Sequence, residues 1–286
     1  MTRVACLSTI AGIAAMGLAA GPAHAQYRGM AAQPPAAAEA PAGTAPEPDV
    51  AAAGSPYIFV VDSGRRIAMI NVGTQKVSVL GYVTVPLTDI AFNPKNHQLY
   101  GITYGALYEI PIKTLQAKLV MQLGTKDANA LVFDSAGTAY FAGYQTNRLY
   151  KVDIATKQKT VVGLTRQYYS AGDLTFYNGN LVMSANFGTT NPTNATNNYL
   201  VTMNPANAVF IGSPVPVSIH QLYGLASTGN NELYGLAGIG TSNTPGIYQL
   251  FPSAASEQNR DTLLKNLSGT GLSLIVGTAY NGNFQP

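Results

Sequence analysis

The sequence has no tryptophan and a single cysteine. That cysteine, Cys6, lies within the first 25 residues, ahead of a run of small apolar residues. The remainder of the chain therefore has no disulfide and no thiol chemistry, and a cysteine-based zinc site is excluded. Charge is also scarce: 10% of residues are Asp, Glu, Lys or Arg, where about a quarter is usual. The formal charge of +3 forms no basic stripe, so nucleic acid is not an expected partner. There are three histidines. His24 sits in the leader, and the topology derived below puts His97 and His220 on opposite faces. A histidine-built metal site, or a serine nucleophile with its base, thus lacks a second member. No glycine-rich phosphate loop joins a strand to a helix. No segment reads as an amphipathic helix of useful length.

The first 25 residues read as an export signal. Arg3 supplies the positive start, 10–20 the apolar stretch, and Ala23-His24-Ala25 a small-residue cleavage site. The expected mature chain begins at Gln26, has no membrane insertion after cleavage, and is secreted or periplasmic. Residues 26–55 follow as a linker dominated by alanine and proline. Such a stretch cannot bury enough apolar surface to offset its ordering entropy, so it is expected to be disordered. Folding begins near Pro56.

From there the glycine-, asparagine- and tyrosine-rich chain repeats itself. LTDIAFNPKNHQLYGITYGALYEIPIKTLQAKLVMQLG is followed by NALVFDSAGTAYFAGYQTNRLYKVDIATKQKTVVG. Each unit has four short apolar runs separated by turn residues. Two more units follow, with third-unit strands expected at 173–176, 181–185, 199–203 and 209–212. Equivalent first-strand positions are Asp89, Ala130, Asp173, Gly224 and Gly277, 41 to 53 residues apart. The last, in LIVGTAY, starts a unit that the chain never completes. The N-terminal segment 57–83 supplies three strands and lacks the first. Joined, the two ends make a fifth four-stranded sheet. Repeats of this length indicate a solenoid, propeller or array, and only a closed ring places both ends in one sheet. The expected fold is all-β: a five-bladed β-propeller over 56–286, its ring closed by the C-terminal strand.

The stretches LTDIAFNP, QLYGIT, NRLYKVDIATKQKTVVG and HQLYGLASTGNNELYGLAG resemble repeats of secreted bacterial β-propeller proteins, many of them described only as propeller-like domains of unknown function. The resemblance covers about 56–286. It implies the fold and says little about function, since propellers host binding, scaffolding and several chemistries.

Strand alternation places the inter-blade loops and the loops between second and third strands on one face. That face, here called the top, gathers Arg65, Tyr144, Arg148, Arg166, Tyr168, Tyr169 and Phe187, while lysines gather on the other. Tyrosine and arginine are enriched at binding hot spots. These seven residues are therefore the candidate rim for a saccharide, an acidic group or a protein partner of the cell envelope. Asp89, Asp173, Asn129 and Asp62 are expected around the channel mouth. There they either cap backbone N–H groups of the adjoining inter-blade turn, hold Ca²⁺ through oxygen ligands, or serve a lactonase- or glycosidase-like hydrolase. No third carboxylate completes a glycosidase set convincingly. The reading favours a non-enzymatic, monomeric binding scaffold without a required cofactor. A Ca-dependent hydrolase and a purely structural envelope protein are the alternatives.

Overall fold

The computed structural model describes residues 56–188, 198–237, 245–257 and 260–281. The expected leader and linker lie outside the described residues, as does most of the top-face insertion expected between Asn186 and Asn198. Twenty strands form five antiparallel sheets of four. The closing blade is β20 (Ile275–Tyr280), β1 (Tyr57–Asp62), β2 (Arg66–Asn71) and β3 (Val77–Tyr82), in that order from the centre. Unit one is β4 (Asp89–Asn93), β5 (Gln98–Ile102), β6 (Ala106–Ile110) and β7 (Lys118–Gln122). Unit two is β8 (Ala128–Phe133), β9 (Ala139–Gly143), β10 (Arg148–Asp153) and β11 (Gln158–Leu164). Unit three is β12 (Tyr168–Tyr177), β13 (Asn180–Phe187), β14 (Asn198–Met203) and β15 (Val215–Val217). Unit four is β16 (Leu222–Ser227), β17 (Leu233–Ala237), β18 (Gly246–Leu250) and β19 (Asp261–Asn266). No α-helix occurs among the described residues, so no helix there is long and apolar enough to cross a membrane.

The protein is a five-bladed β-propeller. The ring closes where β20 pairs with β1, with Phe59 opposite Ala279 and Val61 opposite Gly277. The innermost strands β20, β4, β8, β12 and β16 pack side by side around the axis in that order. Strands near the axis are sandwiched by neighbouring blades on both faces, which explains their unbroken apolar runs such as YIFVVD and AYFAG. The outer strands β3, β7, β11 and β19 carry exposed positions. Core packing runs both within and between blades. Phe141 stacks on Tyr150, its partner across β9 and β10, at 4.8 Å between centroids, and Phe59 of the closing blade meets Phe92 of unit one edge-on at 4.8 Å.

Unit three departs from the sequence reading at two places. Its fourth strand is β15, not 209–212. A turn at Asn204–Ala208 returns the chain for a single bridge, Phe210 to Met203. Gly212, at φ +73°, then turns it away, and pairing resumes only at 215–217 with the other end of β14. Pro216 has no N–H, which keeps this edge short. The first strand also begins earlier than expected. Tyr168 and Tyr169 are strand residues opposite Phe187 and Asn186, followed by a register shift between Ser170 and Leu174.

Candidate functional site

The first residues to place are the four assigned to the channel mouth. Asp89 and Asp173 are fully buried and fill the axis. Asp89 Oδ1 accepts the N–H of Ile90 at 2.7 Å and of Thr278 at 3.2 Å, and its Oδ2 accepts that of Leu131 at 2.6 Å. Asp173 Oδ1 accepts the N–H of Leu174 at 2.6 Å, and Oδ2 that of Leu225 at 2.7 Å. These five donors hold one equivalent place, one residue beyond Asp89, Ala130, Asp173, Gly224 and Gly277. Each is the inward-facing amide of an innermost strand, which has no further strand to pair with. Two carboxylates thus satisfy one amide from every blade. The hydroxyl of Thr278 adds a sixth donor, 2.8 Å from both Asp173 Oδ2 and the Leu225 carbonyl.

The chemical consequence follows from the lone pairs. All four carboxylate oxygens accept backbone N–H groups, and none faces solvent, so the pair clasps strands and has no oxygen turned toward a substrate. Three of the five positions are Ala or Gly because only two side chains fit at the centre. These aspartates therefore do cap backbone amides, though those of the inner strands and not of an inter-blade turn.

Burial pushes both carboxyls up. On Asp89 the charge of Asp173 and the hydrogen bond between the two side chains add to burial, placing it well above the usual carboxylate range. On Asp173 the amide and hydroxyl donors partly offset burial, leaving it at about 8. Each carboxyl accordingly retains, above the ordinary value of 3.8, a proton that the unfolded chain releases there. A raised native pKa gives stability that is complete below the unfolded value and is lost as pH rises through the native one. Unfolding free energy is expected to fall between pH 4 and about 8, by at most about 1.4 kcal/mol per pH unit for each proton retained. Thermal melts across this range should show the fall, and Asp173→Asn, having no proton there to release, should lessen it without abolishing it, because burial still holds the Asp89 carboxyl up.

Asp62 lies elsewhere than expected. It ends β1, the second strand of its blade, and so stands one strand away from the axis. Its Oδ1 accepts the Arg66 N–H at 2.8 Å, and its Oδ2 accepts Arg66 Nε at 2.7 Å and the Ser273 N–H at 2.8 Å. Arg66 Nη2 donates to Ser273 Oγ at 2.7 Å. This network fastens the segment leading into β20 to the β1–β2 turn. Asn129 is buried near the upper channel, its Nδ2 donating to the Ser170 carbonyl at 3.3 Å. Its Oδ1 and the Ser170 hydroxyl have no protein partner, a polar spot of the kind an ordered water occupies. No group of three or more His, Cys, Asp or Glu placed to hold a metal occurs among the described residues.

The top-face candidates divide. Tyr168, Phe187 and Arg166 come together, joined by Tyr199 and Phe210. The Tyr168 ring lies 5.1 Å from Phe187 and 5.6 Å from both Tyr199 and Phe210. Phe187 lies 6.2 Å from Tyr199, and the Arg166 guanidinium sits 4.8 Å over the Phe210 ring. Strand pairing explains the grouping. Tyr168 opposes Phe187, and Ala185, two residues before Phe187, opposes Tyr199, so all point to one face of the sheet. Burial raises the Tyr168 hydroxyl pKa, with Tyr199 adding to it. Phe187 remains 49% exposed, and the cluster continues the core between units two and three out to the surface.

The other four stand apart from this cluster. Tyr169, next in sequence to Tyr168, turns to the opposite face of the sheet. Tyr144 pairs with Tyr104 at 5.4 Å. Arg148 is exposed at the start of β10. Arg65 sits in the β1–β2 turn at φ 67°, its carbonyl accepting the Val83 N–H. Sequence reasoning missed Tyr199 and Phe210. The alternation of unit three contained the signal for Tyr199, but Phe210 required the irregular return before β15.

No family model matches the chain, and no curated protein matches it. Solved structures do. The chain is similar to a protein of unknown function from Bacteroides caccae, with 13% identity, 73% of each chain covered and a TM-score of 0.45. It is also similar to a chain from the crystal structure of a nidogen/laminin complex, with 10% identity and a TM-score of 0.51, covering 79% of this chain and 98% of that one. Likeness at such identity concerns the fold alone.

Proposed function

We propose that the protein is an exported, non-enzymatic propeller module that binds a saccharide of the cell envelope on the aromatic platform of unit three. The observation that carries this reading is Phe187: a large apolar ring half exposed on a rigid sheet, flanked by Tyr168 and Tyr199. Aromatic faces of this kind stack on the apolar C–H face of a sugar ring, and Arg166 beside them supplies directed donors. The carboxylates that a hydrolase would use are committed to the inner strands, which favours binding over catalysis.

Phe187→Ala is the direct test, because the side chain is half exposed and its loss leaves the inter-blade core largely in place. Titration of the full chain with envelope polysaccharide fragments is expected to give saturable binding, weakened about tenfold by this change, with a melting temperature close to that of the unaltered protein. Unchanged affinity would remove the platform as the site. No binding to any saccharide, with capture of a protein from envelope extract that Phe187→Ala abolishes, would keep the platform and replace the ligand class.

A further inference from the structure

On the far side of the carboxylate pair, the channel opens into a cavity of about 250 Å³. Its inner end is Thr278, the residue bonded to both aspartates. Its rim is formed by Phe92, Phe133, Phe176, Ser227 and Tyr280, again one equivalent residue from each innermost strand, three positions beyond the aspartate place. Four are aromatic. Phe92, Phe133 and Phe176 are braced from behind by Phe59 at 4.8 Å, Tyr100 at 4.9 Å and Tyr140 at 5.8 Å. The rim is therefore already formed, with a single gap at Ser227.

The wall chemistry narrows the ligand. No Asp, Glu, Lys or Arg lines the cavity, whose polar side chains are uncharged ones such as Asn93, Thr175 and Asn281 beside a single imidazole, His97, so a charged ligand would meet no carboxylate, ammonium or guanidinium to offset its lost hydration. The residues whose N–H groups reach the carboxylates turn their carbonyls toward the same side, and the Leu225 carbonyl already accepts the Thr278 hydroxyl. A ring of acceptors thus follows the carboxylate layer. A cavity of about 150 Å³ holds benzene, and this one has room for a ring with a second ring or a substituent.

We propose that this half of the channel binds a small, flat, uncharged ring compound carrying one hydrogen-bond donor, of phenol or indole size. The site lies at the opposite end of the inner strands from the unit-three platform and is independent of it.

Because the chain has no tryptophan, indole can serve as its own fluorescent probe. Titrating indole with the full-length protein is expected to give a saturable blue shift of its emission. Ser227→Phe, which closes the gap in the rim, is expected to weaken binding by at least about tenfold, while Phe187→Ala leaves it unchanged. Amide NMR shifts on indole addition should centre on Phe92, Phe133, Phe176, Ser227 and Tyr280, a readout that holds even if Ser227→Phe fails to fold. Absence of a saturable shift, full affinity in a folded Ser227→Phe protein, or NMR shifts confined to the unit-three platform would each overturn the proposal.

Discussion

Asp89→Ala is expected to destabilise the propeller by about 4 kcal/mol, lowering its melting temperature by roughly 10 °C. The substitution removes the acceptor for three buried amides at once: Ile90, Leu131 and Thr278, on three different blades. Leaving a buried donor unpaired costs about 1–3 kcal/mol. The sum is moderated because Asp173 is relieved of a neighbouring carboxyl and because water can enter from the cavity. Asp89→Asn should cost less. It retains one acceptor oxygen and removes the like-charge neighbour, but sets an NH₂ group against at least one amide. Urea unfolding of the three proteins should rank them unaltered, then Asn, then Ala. Equal stability for Ala and unaltered protein would mean that the carboxylate does not hold the ring.

Gly277→Ala is expected to cost about 3 kcal/mol through crowding at the same place. A methyl there would overlap Asp89 Oδ1 and lie 2.5 Å from Asp89 Cα and 3.0 Å from the Ile90 nitrogen. Two of those atoms are backbone of the neighbouring inner strand, so the strand itself must shift and the carboxylate must leave its donors. Gly229→Ala provides the control. Its added methyl meets only the Tyr280 hydroxyl, at 3.7 Å, and stability should change by no more than about 0.5 kcal/mol. Comparable losses in both proteins would point to a general effect of removing glycine and not to a crowded axis.

The five blades were legible because the repeat is local and its interruption is not: LIVGTAY at one end and YIFVVD at the other complete each other only in a closed ring. The equivalence of Asp89, Ala130, Asp173, Gly224 and Gly277 was legible too. Its meaning was not, because the room at the axis depends on how closely five inner strands approach, and no single strand carries that information. Read locally, two aspartates lining a mouth and two aspartates filling an axis look alike. The Ala, Gly and Gly at the other three places were the available clue, since they leave space for only two side chains. Thr278 had no local signal, as its partners Asp173 and Leu225 belong to other blades. Asp62 was misplaced for a topological reason: it lies on a second strand and its spacing to Arg66 serves a turn. On the platform, loop topology put Tyr168 and Phe187 on the top face and the alternation of unit three held an unread signal for Tyr199, whereas the path to Phe210 depends on a turn and a glycine at positive φ.

Amide hydrogen exchange at Ile90, Leu131, Leu174, Leu225 and Thr278 tests most directly whether two carboxylates clasp one amide from each blade. These edge amides have no strand partner, yet they are predicted to exchange only through global unfolding, as slowly as amides inside the sheets. In Asp89→Ala, protection should be lost at Ile90, Leu131 and Thr278 and kept at Leu174 and Leu225. Rapid exchange of all five in the unaltered protein would contradict the account.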